Sequence, residues 1–269
     1  MVGLLAEGFA VSANLFNCRD HSFIVAHYDI IRTEALRRAE AVARYTENTE
    51  TVSLKGLEDL LAVTRNEKSK GSLLALPQVG PFALTLGLIA DHRVKIATAF
   101  WAMDGEQKRL LERSGVVLLD LNRDRTPFSI IRRIGKLYDH GYMMCLLIEV
   151  PMKSRRLYSF MGYRVKCSSL IETLAKYYKL KVSGLYSLLS DTGGIQIVVS
   201  SAFRPNELTQ RLLSWSEAVA VANIEQYDWS EASIVFSDPR AFANGLTFLP
   251  EIVSWRDRVL SRMQTRPRG

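Results

Sequence analysis

The chain has 269 residues, 48% apolar and 23% charged, a balance that excludes a disordered or fibrous protein and is enough to bury one large core. Its net charge of +7 and isoelectric point of about 9.4 favour acidic partners, namely nucleic acid, an anionic lipid surface or an acidic carrier protein, without choosing among them. Cys18, Cys145 and Cys167 are odd in number and widely spaced, which argues against a disulfide framework and structural zinc and fits a reducing, cytoplasmic setting.

The opening MVGLLAEGFAVSANLFN lacks a basic segment and carries Glu7, so no signal peptide is expected. Asp29 to Tyr45 reads as a charged amphipathic helix, and residues 1–50 as an N-terminal helical arm. A short strand follows, then a helix over Leu57 to Arg65 and a polar turn. From Gly71 to Ala90 no residue carries a formal charge, which matches the length of a membrane span. Pro77, Gln78, Gly80 and Pro81 interrupt that stretch, so it is expected to be a buried strand, a turn and a helix rather than a span.

VKIATAFW reads as the next strand, GEQKRLLERSG as a helix and GVVLLDL as a strand. Thr126 to His140 is helical, with Ile130, Ile131, Ile134 and Leu137 on one stripe. YMMCLLIEVP is a strand apolar throughout, as expected when both faces are covered, and Cys145 within it is a small core residue. CSSLIETLAKYYKLKV is a helix running towards a strand, IQIVVSSAF is one more strand, and NELTQRLLSWSEAVAVANI is a long helix. Strands alternating with helices imply an α/β fold, a single domain whose mostly parallel central sheet is flanked by helices. That core is expected over 51–235, with a helical extension and basic tail over 236–269.

In an open α/β sheet, ligands bind beyond the carboxyl ends of the strands. Two exits carry candidate chemistry: Leu76 to Phe82, which includes Gln78, and Glu149-Val150-Pro151. Glu149, closing a buried strand, reads either as a site carboxylate or as a strand-end cap.

VSLKGLEDLLAVTRNEKSKGSLLALPQVGPF resembles the opening block of the late lipid A acyltransferases and their lysophospholipid acyltransferase relatives. In that family a short strand, a Gly-Leu-Glu helix, a Lys-Gly turn and an apolar strand precede His-x-Gly-Asn-x-Glu. IIRRIGKLYDHGYMMCLLIEVP is similar to their helix, glycine and strand ending in an acidic residue. SFMGYRVKCSSLIETLAKYYKLKV and NELTQRLLSWSEAVAVANIEQYDW are similar to their Phe-Gly segment and closing helix. The likeness runs from about Val52 to Trp229, in order and spacing more than in invariant letters.

The resemblance implies acyl transfer from acyl-CoA or an acyl carrier protein, with no resident cofactor and no metal. A histidine takes the acceptor's proton, and an acidic residue five positions later orients it. Val79-Gly80 aligns with the family's x-Gly, which puts Gln78 at the histidine position and Ala83 at the acidic one. Glutamine cannot take a proton near neutral pH. General-base assistance typically contributes ~10²–10⁴-fold, so a chain without it is expected to be slow or inactive by that route.

His92 lies on the order of 15 Å from the exit along its helix. His140 precedes its strand and so belongs at the opposite edge of the sheet, leaving His21 and His27 in the arm as the replacements to consider. The resemblance also implies an acyl groove near Gly80 and Gly162, lined by Phe82, Trp101, Phe160 and Tyr163, although such aromatics also serve as plain core. A basic rim of Arg123, Arg125, Arg132, Arg133, Lys153, Arg155, Arg156 and Arg164 suits phosphate, or is simply a solvated face.

Two readings stand together. One is an acyltransferase-like protein, catalytically impaired, that binds a fatty acyl chain or acyl carrier protein or supports an active paralogue. The other is a diverged acyltransferase acting on a hydroxyl or amine. Peripheral contact with the anionic inner face of a membrane accompanies either. A nucleic-acid binder is disfavoured, because neither zinc spacing nor RNP-like or helix-turn-helix signals occur.

Overall fold

Leu73–Leu76, four apolar residues with no room for solvent on either face, form the strand at the centre of the sheet. The structure is a computed structural model. It describes residues 37–38, 40–42, 44–45, 52–65, 72–100, 103, 105–121, 127–150, 156–160, 163–190, 192–223 and 226–227.

Strand β1 (Leu54–Lys55) leads to helix α1 (Leu57–Arg65), β2 (Leu73–Leu76) to α2 (Phe82–Asp91), and β3 (Ile96–Phe100) to α3 (Gly105–Arg113). Next come β4 (Val117–Asp120), α4 (Pro127–Asp139) and β5 (Met143–Leu147), then the short strands β6 (Tyr158–Phe160) and β7 (Tyr163–Val165). Helix α5 (Leu170–Tyr178), β8 (Val182–Leu189), β9 (Ile195–Val199) and α6 (Leu208–Ala222) complete the described elements.

Seven strands form one sheet in the order β1-β9-β8-β2-β5-β3-β4. The five from β8 to β4 run parallel, and β9 turns back antiparallel to β8, taking β1 with it. The α/β class and the mostly parallel sheet expected from the alternating pattern are therefore present. Two pairings were not anticipated. The β8–β9 hairpin reverses one end of the sheet, and β6–β7 form a separate antiparallel ribbon in the Phe-Gly segment, where the sequence reading placed no strand.

Side chains on a strand alternate between faces, and the core divides accordingly. Leu73 and Ala75 of β2, with Met144 and Leu146 of β5, pack on one face under α4, α5 and α6. Leu74, Leu76, Met143 and Cys145 face the other way, against α1, α2 and α3. Helices thus cover both faces, and Cys145 is the core residue its setting suggested. The uncharged stretch resolves into β2, a turn and α2, and no helix among the described residues is long and apolar enough to cross a membrane.

Of the proposed N-terminal arm, residues 37, 38, 40–42, 44 and 45 are described and helical. Tyr45 hydrogen-bonds Asp91 and shares a 2.9 Å contact with Ser114. The Arg37 guanidinium donates to the Ser190 carbonyl at 2.9 Å. The 236–269 extension lies outside the described residues.

Candidate active site at the exits of β2 and β5

Strands β2 and β5 are parallel neighbours with Leu76 opposite Leu147. Two residues beyond each of these stand Gln78 and Glu149, so the register alone brings the two sequence-selected candidates to one corner at the carboxyl end of the sheet. The Ile148 N–H donates to the Leu76 carbonyl at 2.9 Å and carries the pairing one step past the strands. Strand β5 ends at Leu147, and Glu149 lies beyond it rather than within it.

Glu149 is 1% exposed, and its carboxyl accepts a hydrogen bond from Ser216 Oγ of α6. Its own N–H and that of Gln78 also point at it, so the contact from Gln78 comes from main chain. The Tyr227 hydroxyl is near enough to favour the ionised form, yet Oε2 receives no well-formed hydrogen bond. Burial pushes the carboxyl up to about 7, against the opposing pull of these donors. Cys167 lies alongside, its thiol pushed up to about 12 by burial and then by the Glu149 charge.

Gly80 makes the tight turn out of β2 with φ +72, a left-handed conformation that favours glycine. A Cβ there would overlap the Ser187 carbonyl oxygen on the neighbouring strand. Thr85 Oγ1 bonds Ser187 Oγ at 2.6 Å, tying the first turn of α2 to β8. Pro81 precedes α2, where its fixed φ and missing N–H cost nothing. Ala83 sits in the first turn with its methyl buried among α1, α2 and α3.

A segment after α6 roofs this corner. Val79 forms an antiparallel bridge with Tyr227, and the Gly80 N–H donates to the Gln226 carbonyl at 2.8 Å. The Gln226 side-chain amide bonds both the carbonyl and the N–H of Leu189, at 2.9 and 2.8 Å. Arg38 from the N-terminal helix donates to the same Gln226 carbonyl at 3.1 Å. Tyr227 is fully buried, and Gln78 is 6% exposed.

No protein-family model and no curated protein matches the chain.

The other candidates divide. Phe82 is half-buried against the core of α1 to α3, whereas Phe160 is fully buried in the opposite core. The sheet lies between them, so the two do not line one groove. Tyr163 pairs with Phe160 across the β6–β7 ribbon, and Arg164 is exposed on that ribbon. Arg156 is exposed, its guanidinium 5.3 Å from the Tyr158 ring centre, and Arg132 is exposed on α4. Trp101, Arg123, Arg125, Lys153, Arg155 and Gly162 lie outside the described residues, as do His21 and His27.

His92 follows α2 and His140 follows α4, so both sit at the amino end of the sheet, across its height from Gln78. Both are exposed, and His140 Nδ1 contacts the Lys136 carbonyl at 2.6 Å. Among the described residues, then, no histidine reaches the corner.

Ser216, Cys167, Gln226 and Tyr227 were not selected from the sequence. Ser216 left a signal: with Leu208, Leu212, Leu213, Val219 and Ala220 it falls on the buried stripe of α6, where a hydroxyl needs a buried partner.

Proposed function

We propose that this chain is a diverged member of the late lipid A and lysophospholipid acyltransferase group that binds a fatty acyl chain or acyl donor but does not turn it over by the family's histidine route. One observation carries the second half. The corner at the exits of β2 and β5 holds an amide at position 78 and a buried methyl at 83, and is covered by Gln226 and Tyr227. The order of elements from Val52 to Trp229, now seen to include a mostly parallel sheet, supports the kinship. The acyl ligand itself rests on the resemblance alone, as do acyl carrier protein or a paralogue as partner and peripheral contact with an anionic membrane.

A second reading draws on one feature. A carboxyl near neutrality suits a general base, so Glu149, while water stays excluded from it, has the proton affinity to assist an acceptor hydroxyl or amine that takes the place of the roof.

Gln78→His combined with Ala83→Glu tests the first reading. Intact mass and thin-layer assays with acyl-CoA, acyl carrier protein and lysolipid acceptors are expected to show transfer by the double variant and none by the parent. Transfer by the parent at the rate of an ordinary enzyme would overturn it. Because Ala83 is buried, a melting curve must first establish that the double variant folds.

A further inference from the structure

Gln226 and Tyr227 hold the corner shut in an unusual way. Tyr227 brings a phenol into the apolar core, and the Gln226 side chain is held by two bonds to the Leu189 main chain while its carbonyl accepts from the Gly80 N–H. Beneath them lies a carboxyl with an oxygen that has no well-formed hydrogen bond and no access to water. A buried acceptor left in that state destabilises the arrangement, the more so when it is charged. The closed arrangement therefore carries a cost that opening to water would remove.

We propose that Gln226–Tyr227 is a displaceable plug, an autoinhibitory strap that closes the Gln78 corner while Glu149 is protonated and is released when that carboxyl ionises and takes up water. The plug regulates the site of the preceding section, and the acyl ligand is borrowed from that reading; the strap's own movement does not depend on it.

Among the described residues four groups face Glu149. From α6 comes the Ser216 hydroxyl, from the loop after β2 the Gln78 N–H, from the segment after β7 the Cys167 thiol, and from the strap the Tyr227 hydroxyl. Burial pushes the Cys167 thiol up to about 12, which leaves Glu149, among these described groups, as the carboxyl that changes charge between pH 5 and 8. A carboxyl held up in the closed state, and ordinary once hydrated, binds its proton more tightly when closed. Closure is therefore fullest below 4.5 and weakens as pH rises to about 7.

Hydrogen exchange at the Gly80 amide, whose N–H the strap occupies, reads this directly in the full chain without ligand. After correction for intrinsic exchange, protection of Gly80 should fall about 70-fold from pH 5 to pH 8. The Met144 amide, bonded to the Ser72 carbonyl inside the sheet, should hold its protection. Glu149→Gln should abolish the pH dependence at Gly80. Gln226→Ala, which loses both bonds to Leu189, should lower Gly80 protection at each pH while keeping the ratio between them.

Equal protection of Gly80 at both pH values, or a fall shared by Met144 or retained by Glu149→Gln, would overturn the proposal. So would a Gln226→Ala protein with unchanged Gly80 protection. A separate arm adds palmitoyl-CoA at pH 8. Loss of Gly80 protection without binding of that probe leaves the strap standing and removes the acyl reading instead.

Discussion

Replacing Gly80 by alanine tests whether the corner is as closely built as its contacts imply. Two costs combine. An L-residue at φ +72 is strained by about 1–2 kcal/mol. The added methyl would also overlap the Ser187 carbonyl oxygen and come within 2.8 Å of its carbon, and backbone there cannot yield without moving β8. Relief requires loosening both the Gly80–Gln226 bond at 2.8 Å and the Thr85–Ser187 bond at 2.6 Å, each worth ~0.5–1.5 kcal/mol net.

The sum is roughly 2–5 kcal/mol, which for a chain of this size lowers the melting temperature by about 5–15 °C. Gly141 supplies the control. Its φ is +74, but a Cβ there meets no atom within 4 Å, so Gly141→Ala bears the strain term alone. Urea unfolding of both variants against the parent is expected to show Gly80→Ala as the worse by about 1–3 kcal/mol. Equal losses would refute the close approach of the turn to β8.

Two further predictions concern the buried carboxyls. Raising Glu149 from 4.5 to about 7 makes the folded state the tighter proton binder, so its contribution to stability declines as pH climbs through that window and is flat above it. Relative to Glu149→Gln, the parent should therefore lose roughly 3 kcal/mol between pH 4.5 and 8 in urea titrations, and a constant difference would count against a buried proton. Glu172 runs the other way: burial alone would raise it, but Lys176 at 2.6 Å and the Thr209 N–H and hydroxyl at 3.1 and 2.7 Å outweigh burial and hold it below the usual range. Its stabilisation is present above 4.5 and lost as pH falls through the lowered value, so Glu172→Gln should be less stable than the parent by about 1–3 kcal/mol at pH 7 and converge with it in acid.

The layered sheet was legible because β2 and β5 are apolar on both faces and stand between amphipathic helices, a pattern that only burial on two sides explains. Gln78 and Glu149 were legible as strand exits, and parallel register then placed them side by side. The β8–β9 reversal was not, because the turn is built from Ser190 Oγ bonding the Gly194 N–H at 2.9 Å, a local contact with no periodicity to betray it. The β6–β7 ribbon was missed for a similar reason, since three-residue strands are too short to show alternation.

The roof was hidden more deeply. Gln226 and Tyr227 act through partners 37 to 188 residues away in sequence, and nothing in NIEQYDW marks a glutamine that will pair with a strand edge. Glu172 shows the same limit. It falls on the buried stripe of α5, and its use became visible only with α6 in place, whose start at Glu207 has no side-chain cap and takes its Thr209 N–H acceptor from Glu172 instead.

The proposed function is binding without turnover at a corner that holds Gln78 where the resemblance puts a histidine. A single-turnover experiment with labelled palmitoyl-CoA and a lysophospholipid acceptor at pH 8 addresses it most directly. Binding without turnover leaves the label on the protein as intact thioester, with neither ester product nor free acid above the protein-free rate. Rapid ester formation by the unaltered chain, abolished by Glu149→Gln, would contradict it and assign the chemistry to that carboxyl.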